Sequence, residues 1–82
     1  MVTLRTLAPL IDDLNQLSVR DFHTHETLSV LDPSDYDCDE YTLDEMIYKT
    51  CGDYLDYEVV SIEPRAHHLV VNIDVLGGAV RA

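Results

Sequence analysis

Apolar residues recur at intervals of three and four over the first fifteen positions. Leu4, Leu7, Ala8, Ile11 and Leu14 fall on one stripe, which predicts a helix within Thr3–Asn15. Two starts are open. With Thr6 as N-cap, Pro9 falls in the first turn, where its missing N–H is harmless. With Thr3 as N-cap, Pro9 removes an interior bond and kinks the helix. Asp12 and Asp13 fall on the solvent side. From Leu17 the pattern changes. Leu17–His23 and Thr27–Leu31 are rich in strand formers (Val19, Phe22, Leu28, Val30, Leu31) and read as a hairpin, with His23-Thr24-His25-Glu26 as its turn. Asp32-Pro33-Ser34 ends it, because Pro33 has no N–H for a ladder.

Asp35–Glu40 reads as an acidic loop around Tyr36 and Cys38. Helical spacing then returns with Leu43, Met46, Ile47 and Cys51. Thr42 and Glu45 have the spacing of a capping box. Asp44 and Glu45 suit the positive end of the helix dipole, and Lys49 is expected to pair with Glu45 one turn earlier. Gly52 is expected to stop the helix as its C′ residue. The clearest strands follow: Tyr57–Glu63 and His68–Leu76, joined by Pro64-Arg65-Ala66-His67. Val60 and Ile62 alternate with Ser61 and Glu63, and Leu69, Val71, Ile73 and Val75 alternate with His68, Val70, Asn72 and Asp74, so each strand offers one face to a core. Residues 77–82, from Gly77-Gly78 onward, read as a frayed tail.

The order is α-β-β-α-β-β. The simplest solution is an α+β domain in which two helices pack on one face of a four-stranded, mainly antiparallel sheet. The two halves, each a helix and a hairpin, read as a loose structural repeat without sequence identity between them. At 82 residues the chain is one domain near the lower size limit for a single core, which leaves room for a stabilising second copy as a homodimer.

Net charge changes the picture. At −11 the chain is a poor partner for nucleic acid or an anionic membrane. No apolar run approaches the roughly 18 residues of a membrane span, and no signal-peptide pattern opens the chain, so the expected location is cytosolic. Cys38 and Cys51 are expected as free thiols there.

The charge is also unevenly placed. Ten of the sixteen acidic residues and all five tyrosines lie in Asp32–Glu58, with Lys49 as the only base. A row of carboxylates presents negative charge as a phosphate backbone does. A protein channel lined with Arg and Lys would attract it, and arginine forks and tyrosine packing would fix it. The residues expected to carry such a contact are Asp35, Tyr36, Asp37, Asp39, Glu40, Tyr41, Asp44 and Glu45. The competing reading is a solvated face with some tyrosines in the core.

Other chemistry is thinner. His23, His25, His67 and His68 could gather into a zinc site if the hairpins lie side by side, but no Cys or His knuckle supports one, and turn histidines are the plainer reading. Asp35-x-Asp37-x-Asp39 with Glu40 has the look of a calcium loop but lacks the central glycine, and Met46 stands at its twelfth position. Cysteine–histidine and carboxylate pairs could in principle act as nucleophile or acid and base, but an acidic setting raises a thiol's pKa, and no phosphate loop, nucleophile elbow or metal-hydrolase motif is present. The expectation is a protein without enzymatic activity or cofactor.

Thr3-Leu4-Arg5-Thr6-Leu7 opening a helix, Gly52-Asp53-Tyr54 closing a later one, and Tyr57-Glu58-Val59-Val60-Ser61-Ile62 followed by Leu69-Val70-Val71-Asn72-Ile73 together resemble small acidic proteins encoded by phages and prophages. Those are built as helix, hairpin, helix and final hairpin. Pro9 and the acidity of Asp35–Glu40 depart from their pattern. The group has no single activity, and the resemblance implies an accessory phage protein, a class that includes inhibitors of host defence such as anti-CRISPR proteins. The expected function is thus inhibition of a host defence nuclease in the cytoplasm of an infected bacterium. The expected partner is a host protein or ribonucleoprotein with a basic nucleic-acid site. The alternative is a self-associating structural module whose acidic stretch is only a solvated face.

Overall fold

In the computed structural model, residues 2–11, 15–37, 39–66 and 68–78 are described. Their elements are α1 (Leu4–Leu7), β1 (Leu17–Asp21), β2 (Thr27–Leu31), α2 (Leu43–Thr50), β3 (Val59–Arg65) and β4 (His68–Ile73), with 3-10 turns at Ala8–Leu10, Pro33–Asp35 and Gly52–Tyr54. This is the expected α-β-β-α-β-β order. The sheet runs β2-β1-β4-β3. Both hairpins are antiparallel, and their inner strands β1 and β4 pair in parallel, with Leu17 opposite Leu69 and Asp21 opposite Ile73.

The first helix is shorter than its apolar stripe. Thr3 is the N-cap, its hydroxyl accepting from the Thr6 N–H at 3.3 Å. The α-helical turn ends at Leu7, and Pro9 sits in the 3-10 turn that follows. A proline at position 9 cannot donate to the Arg5 carbonyl four residues back. The Tyr48 hydroxyl donates to that carbonyl instead, at 3.4 Å. Ile11 is already extended. The expectations for Asp12, Asp13 and Leu14 lie outside the described residues, as do those for Cys38, His67 and 79–82.

The second helix matches its expected span and its expected N-cap residue, but the capping box does not form. Thr42 is the N-cap without a side-chain cap bond. Its hydroxyl donates to the Glu45 carboxylate at 2.9 Å and to Asp44. Lys49 does not pair with Glu45. Its Nζ lies 5.2 Å from the centre of the Tyr41 ring and 3.5 Å from that hydroxyl. Gly52 follows the Cys51 C-cap but opens a 3-10 turn rather than adopting a left-handed conformation.

Strand limits also shift. The first strand ends at Asp21, leaving Phe22 and His23 to the turn, where His25 takes a positive φ of 62°. The β3 strand runs two residues later than expected and includes Pro64, which an edge strand tolerates. The β4 strand stops at Ile73, and the Asp74 carboxylate then accepts from the Gly77 N–H at 2.9 Å to close a turn.

The core lies between the helical layer and one face of the sheet. Leu4, Ala8, Met46, Ile47 and Cys51 meet Leu17, Val19, Leu31, Val71 and Ile73, all buried. Val60 and Ile62 do not join them. Val60 sits where the β3–β4 register slips, Ile62 lies on the outermost strand, and both are about two-fifths exposed, at 42% and 40%. The repeat is absent from the sheet: the first strand of one hairpin, β1, is central, whereas the first strand of the other, β3, is an edge.

Candidate protein-binding surface

The acidic segment leaves the sheet at β2 and returns along α2, so both ends are tied to packed elements. Its first turn is set by Asp32, whose carboxylate accepts from the Ser34 hydroxyl at 2.8 Å and the Ser34 N–H at 3.0 Å. Those bonds favour the ionised form and hold the Asp32 pKa below the ordinary value. Asp37 builds the next turn. Its carboxylate accepts from the Asp39 N–H at 2.9 Å, and its carbonyl accepts from Glu40 and Tyr41. Asp and Asn favour such turns because the side chain replaces a backbone acceptor.

Tyr36 and Tyr41 form the base of this segment. Both are half-buried and pack against the core. Their rings meet edge to face, with centroids 5.4 Å apart. The Tyr36 hydroxyl shares a 2.6 Å hydrogen bond with the Thr50 hydroxyl at the end of α2. One cation already sits by the Tyr41 ring, namely Lys49. The two tyrosines therefore fasten the segment to the domain as well as bordering it.

The carboxylates stand outside this base. Asp35, Asp37, Asp39, Glu40 and Glu45 are exposed and Asp44 is partly so. Among the described residues none of the six forms an ion pair. The side chains of Asp35, Asp39 and Glu40 make no hydrogen bond to a described residue. Elsewhere acid is neutralised locally: Arg5 donates to both Asp56 oxygens, at 2.8 and 3.1 Å, and this hydrogen-bonded pairing lowers the Asp56 pKa. The eight expected contact residues thus divide into six outward carboxylates and two rings that anchor them.

The remaining candidates are placed apart. His23 contacts the Asp74 carboxylate at 2.8 Å, beyond the end of β1. His68 contacts the Ser18 hydroxyl at 2.5 Å, at the start of β4. Because β1 and β4 are parallel and in register, these two histidines lie at opposite ends of the strand pair, and His25 lies in the β1–β2 turn. Among the described residues no three His, Cys, Asp or Glu side chains are grouped to hold a metal ion. Met46, at the twelfth position of the calcium-like run, is buried. Cys51 is a buried free thiol beside the Ser29 hydroxyl, and burial raises its pKa, which opposes a thiolate.

One cluster was not anticipated. On the open face of the sheet, Arg20 Nε donates to Asn72 Oδ1 at 2.7 Å, and Asn72 Nδ2 donates to Ser61 at 3.0 Å and Glu63 at 2.8 Å. Arg20 and Glu63 are also ion-paired, and Arg65 approaches Glu63 at 3.8 Å. The signal in the sequence was the polar residue at every second position of Ser61–Glu63 and the Asn72 between Val71 and Ile73. Among the described residues, no helix is long and apolar enough to cross a membrane. Comparison with protein-family models, curated proteins and solved structures gives no match and so identifies no family for the chain.

Proposed function

We propose that this protein is a non-enzymatic binding protein whose acidic surface, Asp35 to Glu45, occupies a basic nucleic-acid-binding site on another protein. A defence nuclease of a bacterial host is the first target class to test, and inhibition by exclusion of nucleic acid is the mechanism. The observation that carries the reading is the pairing state of the carboxylates. Six acids project from a segment fastened at Tyr36 and Tyr41, and no described base neutralises them. Lys49, the one base within Asp32–Glu58, is turned to Tyr41. Holding like charges together on a small domain is unfavourable unless a partner takes them up. An arginine-lined groove would do so through forked carboxylate contacts, with fast, salt-sensitive association.

The test is affinity capture from a bacterial lysate at low and moderate salt, followed by a cleavage assay on what is recovered. The expected result is a nucleic-acid-handling complex whose recovery falls with salt. The triple reversal D35K/D39K/E40K alters side chains that have no partner among the described residues and should abolish recovery while the domain stays folded. Undiminished recovery by that variant would remove the reading.

A further inference from the structure

The two edges of the sheet are finished differently. At the start of β3, the Val59 N–H donates to the Val2 carbonyl at 2.7 Å and Thr3 bridges Glu58, so the chain covers its own edge. Further along, β3 carries a register slip at Val60 and then Pro64, without an N–H, between the charges of Glu63 and Arg65. These are the usual means of blunting an edge. The other edge, β2, contains neither charge nor proline. Its irregularity falls at Leu28, because Val19 faces Ser29 and Arg20 faces Thr27, so Ser29–Leu31 pairs regularly.

Backbone direction then follows from alternation. The Asp21 N–H donates to the Glu26 carbonyl at 2.9 Å and the Asp21 carbonyl accepts from His25, so Asp21 faces the β2 side. Val19 and Leu17 face it too, and their partners Ser29 and Leu31 bond inward. Val30, between them, directs its N–H and its carbonyl away from the sheet. Among the described residues no backbone hydrogen bond joins β2 to anything except β1.

We propose that β2 receives an added strand from a basic partner protein, with the Val30 N–H and carbonyl as the central hydrogen-bonding pair. The occupant is chosen by charge. Glu26 precedes β2 and Asp32 follows it, so an added strand meets carboxylates at both ends. A second copy would bring the same acids to the same place on a chain already at −11. An extended segment with uncharged alternating residues and Lys or Arg at both ends fits, since opposite charges across strands stabilise and like charges destabilise. The proposal rests on the reading above only for the sign of the partner's charge; the surface is a different one.

The probe is a capped peptide, Lys-Thr-Val-Thr-Val-Lys, titrated into the labelled protein while backbone amide exchange is followed by NMR, with the Glu-ended counterpart as control. At saturation the Val30 N–H should exchange about tenfold more slowly, as one added ladder bond of ordinary net strength gives, and the Ile62 N–H on the other edge should not change. Val30→Pro removes only an outward N–H, so it should fold, keep the bonds of Ser29 and Leu31 to β1, and lose the peptide response. If that variant does not fold, the titration of the native chain decides alone. No slowing at Val30, equal slowing by the Glu-ended peptide, or slowing that grows with protein concentration without peptide would each overturn the proposal, the last in favour of a second copy. D35K/D39K/E40K keeps Glu26 and Asp32. Retained Val30 protection in that variant with undiminished capture sinks the acidic-loop reading alone; lost capture with no Val30 protection in the native chain sinks the strand proposal alone.

Discussion

Asn72 shows most clearly how a single side chain is committed in this domain. It is 2% exposed although it lies on the face of the sheet away from the helices. Its burial comes from its position on the central strand β4, where Arg20 on one side and Glu63 on the other close over it. All of its hydrogen-bonding groups have partners. Asn72→Ala should therefore cost about 1–3 kcal/mol, since the Arg20 guanidinium and the Ser61 hydroxyl lose a partner in a partly dry site; urea denaturation measures it, and a change within error would show that water replaces the amide. Glu63 gives a pH signature to the same cluster. The Asn72 hydrogen bond first, then Arg20 and Arg65, hold its pKa below the ordinary value of 4.5. A depressed carboxylate stabilises the fold above its unfolded-state pKa, and that contribution disappears as pH falls through the folded-state value. Glu63→Gln should lower the melting temperature at neutral pH and converge with the native chain once pH is well below 4.5. Parallel melting curves at every pH would contradict the assignment. The alternation put Ser61, Glu63 and Asn72 on the polar side of their strands, but their contact was not legible, because Asn72 read as one solvent-facing residue and only the register of three strands shows that its neighbours cover it.

At the scale of elements, the apolar periods were sufficient for the fold and insufficient for the ends. Leu43, Met46 and Ile47 placed α2 correctly because a full stripe over two turns has one burial solution. The same argument over-extended the first helix. There the stripe is genuine, with Leu4 and Ala8 buried, but Pro9 lacks the N–H that the Arg5 carbonyl would need, and a tertiary donor, Tyr48, takes its place. Both hairpin pairings were legible, but the parallel pairing of β1 with β4 was not, since alternation in those strands is satisfied equally by a parallel or an antiparallel neighbour. Gly52 makes the limit testable. A helix-ending glycine in the left-handed region resists substitution, whereas Gly52 has no positive φ and open space where a Cβ would lie. Gly52→Ala should be neutral or stabilise by about 0.4–1 kcal/mol through the unfolded chain. Thermal denaturation would read this directly, and a clear loss of stability would restore the left-handed cap.

For the whole molecule, the decisive quantity is the charge of −11 and its concentration on one segment. The clustering was legible in the sequence. The lack of a counter-ion among the described residues was not, because Lys49 stands one turn after Glu45 and reads as its counter-ion until the Tyr41 ring is seen to hold it. Unpaired carboxylates on a small fold repel one another at low ionic strength, where the screening length is about 30 Å at 0.01 M, and much less at about 8 Å in physiological salt. If those carboxylates serve a partner rather than the fold, removing them should stabilise the free protein. Each reversal in D35K/D39K/E40K adds two charges, which brings the net charge from −11 to −5. The variant should melt above the native chain at low salt, and the gap should narrow as salt is raised, while capture of the basic partner is lost. A variant that melts lower at every salt concentration would mean that these side chains contribute to folding. The acidic segment would then be a structural face, and the partner would have to be sought at the open edge of β2.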